Sequence, residues 1–148
     1  MSLPQILVGT LLSLTGLVVI SHVVEALRPA PKPPHELSWA PGSAIQYVDI
    51  GGIKLRCMKI GTGPNLVLLH TLRTQLDLFE KVVPDLAKYF TVYALDYPGH
   101  GFSDIPKAQY DADFFVRSVE RFLNRLDLRD VTLCGVSIGG AMICSPKS

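Results

Sequence analysis

No charged side chain stands among residues 1–24, and four prolines crowd residues 29–34 (PAPKPP). Of 148 residues, only those from about 41 onward can therefore build an ordinary globular core. Residues 6–24 (ILVGTLLSLTGLVVISHVV) are a run of 19 without a permanent charge. As a helix rising 1.5 Å per residue, that run is about 29 Å long, close to the thickness of a bilayer's hydrocarbon core. Its Ser and Thr hydroxyls can bond back to helix carbonyls and do not forbid insertion. A cleaved signal peptide is the competing reading, but the leading MSLPQ lacks Lys and Arg and no small-x-small cleavage site follows. The sequence thus predicts a membrane anchor over 1–27 that contacts lipid through 6–24. A stiff polyproline-type linker over 28–40 and a domain over 41–148 follow it. Arg28 and Lys32 follow the apolar run and only the terminal amine precedes it, which favours a cytoplasmic location for the domain.

The anchor also accounts for the positive mean hydropathy of +0.30. Formal charge is +1, from 14 basic and 13 acidic residues, so no field strong enough to hold nucleic acid arises. Cys57, Cys134 and Cys144 lack metal-type spacing and the density of a disulfide scaffold. They are expected to be reduced and mostly buried, and no metal or cofactor site is expected. Nothing in the sequence fixes an oligomeric state.

Within 41–148, residues 47–50 and 53–60 flank Gly51-Gly52, which predicts an antiparallel hairpin. Short apolar runs at 65–70, 90–96 and 131–136 read as buried strands. Between them, Phe79, Val82, Val83, Leu86 and Phe90 recur at helical spacing. So do Phe115, Val119, Phe122 and Leu126, behind an Asp111 N-cap. Strands alternating with amphipathic helices predict an α/β domain with a mostly parallel sheet, whose chemistry lies beyond the carboxyl ends of its strands.

Gly135-Val136-Ser137-Ile138-Gly139 is a G-x-S-x-G motif placed between an expected strand and an expected helix. A serine on so sharp a turn is held at the top of the sheet in a strained conformation, and its neighbour's N–H opens the helix, where an oxyanion would form. Some forty residues earlier, residues 96–103 (DYPGHGFS) form a second glycine-rich turn. The two motifs in this order resemble the N-terminal half of the α/β-hydrolase fold, in which a D-x-P-G-x-G-x-S loop follows the fourth strand. The resemblance covers roughly 41–143. It implies that Ser137 is a nucleophile attacking a small-molecule acyl substrate, with the Ile138 and Leu72 amides as the oxyanion hole. His70-Thr71-Leu72 stands where the family commonly carries His-Gly-x, so Thr71 replaces a glycine. His70 and His100 take structural roles by the same resemblance, and Arg73 is either a solvated cation or a binder of substrate carboxylate. Serine at the elbow argues against the dehalogenases and epoxide hydrolases of that superfamily, which carry Asp there, and against dienelactone hydrolases, which carry Cys.

A serine hydrolase also needs a base and an acid that orients it, in the family order Ser, Asp or Glu, His. The residues after Ser137 are IGGAMICSPKS, without Asp, Glu or His, and His22, His35, His70 and His100 all precede the serine. The expectation is a truncated α/β-hydrolase domain, inactive by itself, from a membrane-anchored serine hydrolase. The alternative is a noncatalytic remnant or membrane-bound interaction module.

Overall fold

The computed structural model describes residues 3–29 and 31–144, giving backbone alone at 3–9, 11 and 12. The chain divides into two compact units, Met1–Pro33 and Pro34–Ser148. Residues 145–148 of the expected domain, residue 30 of the expected linker and residues 1 and 2 of the expected anchor lie outside the described residues.

The first unit is one helix, α1 (Leu3–Leu27). His22 bonds through Nδ1 to the Val18 carbonyl one turn back, at 2.8 Å. Four consecutive residues, Leu17, Val18, Val19 and Ile20, are all more than half exposed, so a full turn of α1 presents apolar side chains in every direction. Among the described residues, no helix is long and apolar enough to cross a membrane.

In the second unit β1 (Ala44–Asp49) and β2 (Lys54–Ile60) form the expected antiparallel hairpin, Ala44 opposite Lys59 and Asp49 opposite Lys54. Gly51 and Gly52, at φ +99° and +86°, turn the chain, and both donate their N–H to the Asp49 carboxylate. Three more strands, β3 (Asn65–Leu69), β4 (Thr91–Leu95) and β5 (Thr132–Gly135), complete a sheet of order β1-β2-β4-β3-β5. β3 is parallel to both β4 and β5, whereas β2 is antiparallel to β1 and to β4. The sheet is thus mixed rather than mostly parallel, because the hairpin joins β4 through its second strand.

Alternation along each strand sends side chains to two cores. Leu55, Cys57, Val67, Leu69 and Leu95 face α3 (Ala112–Arg125), whose Phe115, Val119 and Phe122 are buried against them. Asp111 caps that helix, its carboxylate accepting from Phe114 N–H at 2.8 Å. On the other face Met58, Leu66, Leu68, Val92 and Ala94 pack on Leu76, Phe79 and Val83. The long amphipathic helix expected over 79–90 is absent. A 3-10 turn at Leu76–Phe79 and a single helical turn, α2 (Val83–Leu86), stand in its place. Pro84 explains the break: it has no N–H for the ladder and disfavours helical geometry in the residue before it, so it tolerates only the start of a helix.

The cysteine expectation also needs correcting. Cys57 is buried, but Cys134 and Cys144 are exposed, and all three are free. Cys134 pairs with Leu68 on the outer strand β5, on the face opposite α3, and no described element covers it there.

Candidate active site

β5 ends at Gly135 and α4 (Ile138–Ile143) begins three residues later, leaving Ser137 to make the reversal. It does so at φ +56°, ψ −115°, a combination that a side chain adopts only under strain. Both flanking glycines are sterically required. A Cβ on Gly135 would collide with the backbone of Gly139 and Gly140, and one on Gly139 with the carbonyls of Leu69 and His70. Val136 N–H bonds to Leu69 O at 3.0 Å, so the elbow is locked onto the end of β3. Ser137 is exposed, and its hydroxyl has no hydrogen-bond partner among the described residues. Ile138 opens α4, where the first-turn amides lack intrahelical acceptors.

The loop leaving β3 begins against this elbow. His70 is fully buried. Its Nε2 accepts the Tyr97 N–H at 3.2 Å, which leaves Nδ1 as the protonated nitrogen donating to Thr71 O at 2.7 Å. Burial holds the imidazole below its ordinary pKa, the Thr71 hydrogen bond and the Asp96 charge opposing that shift only in part. Thr74 Oγ1 also donates to Thr71 O, at 2.8 Å, closing a compact turn over 71–74. Within it Leu72 is 46% exposed and its amide has no acceptor among the described residues, while Arg73 sits at φ +60°.

The loop after β4 is built around Asp96, fully buried. Its Oδ1 accepts Leu76 N–H at 2.7 Å, and Oδ2 accepts Phe102 N–H at 3.0 Å and Arg56 Nε–H at 2.6 Å. Gly101 is needed because a Cβ there would enter that carboxylate. Ser103 Oγ donates to Asp96 O and accepts from Arg56 N–H. Arg56 is itself fully buried, its guanidinium 4.6 Å from the Phe102 ring and 3.4 Å from Asp77, which also accepts from Trp39 Nε1. The motif's Asp, glycine and Ser thus hold the β3 and β4 loops together. His100 lies 5.5 Å from His70, ring to ring, in a cluster with Tyr97 and Phe115.

Ser137, Ile138 and the Leu72 turn are therefore carried by adjacent strand ends, while none of the histidines hydrogen-bonds to Ser137 among the described residues. Arg56 was not anticipated. Its signal was a lone arginine between apolar neighbours in the run Leu55-Arg56-Cys57-Met58, a buried position at odds with its charge. Among the described residues no group of three or more His, Cys, Asp or Glu could hold a metal ion.

Residues 64–145 match the sequence profile described as alpha/beta hydrolase fold, more than half of the chain, and the chain belongs to that family. It is 33% identical over 92 residues to the 2-(acetamidomethylene)succinate hydrolase of Mesorhizobium japonicum, covering 62% of this chain and 33% of that protein. The solved structure of an E-2-(acetamidomethylene)succinate hydrolase superposes with a TM-score of 0.65 at 30% identity, over 68% of this chain and 38% of the other. The enol-lactonase of Burkholderia xenovorans superposes with a TM-score of 0.63, also at 30% identity, over 66% and 39%. The chain spans about a third of the length of the curated relatives it matches.

Proposed function

We propose that this chain carries the nucleophile and oxyanion hole of a membrane-anchored serine hydrolase. The observation that carries the reading is the backbone of Ser137: a strained, exposed hydroxyl at a strand-to-helix reversal, flanked by two glycines with no room for a side chain. In this reading Ser137 Oγ attacks an acyl carbonyl and the amides of Leu72 and Ile138 stabilise the developing oxyanion, each donor typically worth 10²–10³ in rate. The hydroxyl proton must go to a base held by an acid. No residue after Ser137 is Asp, Glu or His, so these 148 residues do not supply that pair in the family order. The hydrolases among the relatives support the reaction class.

A fluorophosphonate reagent tests the reading. Slow labelling at Ser137, driven by the oxyanion donors without the base and lost in Ser137→Ala, is the expected result; labelling of the folded protein that persists in Ser137→Ala overturns it. The second reading, a noncatalytic membrane-bound module, is favoured by the partnerless Ser137 hydroxyl and is the one left standing if labelling fails.

The anchor belongs to the same proposal. An apolar turn exposed in every direction suits lipid rather than water, and Arg28 and Lys32 beyond it favour a cytoplasmic domain.

A further inference from the structure

We propose that Arg73 makes this site selective for acyl substrates that carry a carboxylate close to the reactive carbonyl. The proposal rests on Ser137, Leu72 and Ile138 being the reacting end. Three observations support it independently of the reaction. The first is position. Arg73 follows Leu72 directly, so the two Cα atoms are about 3.8 Å apart, and their turn starts where Val136 and Gly139 pack on the end of β3. The second is an unspent charge. Arg73 is exposed and makes no ion pair or hydrogen bond among the described residues. The two carboxylates of the loop network, Asp77 and Asp96, are already committed, Asp77 to Trp39 and Arg56, and Asp96 to Arg56 and two backbone amides. The third is strain. A long, charged residue at φ +60° occupies a conformation that glycine or asparagine adopts more cheaply. The His70 and Thr74 bonds to Thr71 O hold that turn in place.

Guanidinium suits one ligand group above others. Its planar fork offers two parallel N–H bonds to a carboxylate, giving direction as well as attraction. With the oxyanion donors beside it, the matching substrate is a half-ester or half-amide of a short dicarboxylic acid. The carbonyl would enter between the Leu72 and Ile138 amides, and the free carboxylate would pair with Arg73.

The test is an equilibrium titration of the full chain in detergent micelles, followed through the backbone amide signals of Leu72 and Ile138 and the side-chain Nε–H of Arg73. Monomethyl succinate and its neutral counterpart dimethyl succinate are the probes. The expected result is about tenfold tighter binding of the monoester at low salt, equivalent to about 1.4 kcal/mol, with added salt narrowing the gap. Arg73→Gln should abolish the preference, and Arg73→Lys should restore part of it. A preference that survives Arg73→Gln overturns the proposal. So does equal binding of both esters to the wild type; if the Leu72 and Ile138 signals still move, the oxyanion site stands and only the role of Arg73 falls. If neither ester moves those amides, both readings fall.

Discussion

At the residue scale, the site depends on a few atoms with no freedom. The Asp96 carboxylate takes three hydrogen bonds, and among the described residues Arg56 is its one ion-pair partner. Removing one member of a buried pair leaves the other uncompensated, typically at about 3–5 kcal/mol. Asp96→Asn should therefore lower the denaturant midpoint by an amount that consumes much of a small domain's stability, measurable by urea unfolding; an unchanged midpoint would show the pair to be dispensable. Gly139→Ala should cost at least the about 1–3 kcal/mol of an overpacked site, because the added carbon meets the Leu69 and His70 carbonyls.

His70 brings a pH dependence with a definite sign. Its folded pKa lies below the ordinary value, so between the two pKa values the unfolded chain binds the extra proton. Stability is complete above about pH 6.5 and is lost as pH falls through that value toward the depressed one. Asp96, His100 and Arg56 face the same imidazole, and of these Asp96 favours the proton while the other two oppose it. Melting curves across pH 5–8 should show the slope in the wild type and a weaker slope in His70→Gln. The elbow and the Asp96 turn were legible in the sequence because glycine spacing reports tight backbone geometry directly. Arg56 was not, because its partners lie 21 and 40 residues away and no local pattern marks so distant a pair.

At the scale of elements, the Gly51-Gly52 turn, the short apolar runs and the period-3.6 stripe located the five described strands and α3 to within a few residues. Over 79–90 the apolar spacing predicts one helix, and Pro84 breaks it. A missing N–H and a ring clash cost about 3 kcal/mol in a helix interior, and Phe79 and Val83 are buried without one continuous helix. Asp111→Ala should destabilise α3 by about 1 kcal/mol, read as a small drop in melting temperature. The outer position of β5 has a chemical consequence that the apolar run did not announce. Cys134 and Cys144 are open to solvent, whereas burial drives the Cys57 thiol up to about 12. Iodoacetamide should add to Cys134 and Cys144 in the folded protein and to Cys57 only after unfolding, as intact mass will report. Fast modification of Cys57 in native protein would contradict the packing described for β2.

At the scale of the whole molecule, two units carry different physics. Pro34–Ser148 buries two cores on one mixed sheet, while α1 exposes apolar surface on every side of a turn. Composition made this division legible, since charge disappears from residues 1–24 and proline accumulates at 29–34. If α1 is an anchor, membranes washed with alkaline carbonate should retain the protein; recovery in the soluble fraction would contradict it. The locked elbow holds one exposed hydroxyl, that of Ser137, at the end of β5. The most direct measurement is therefore peptide mapping of a fluorophosphonate adduct on the folded chain. The account predicts the adduct on Ser137 alone, with Ser43, Ser103 and Ser118 unmodified; an adduct spread over several serines, or none on Ser137, would contradict it.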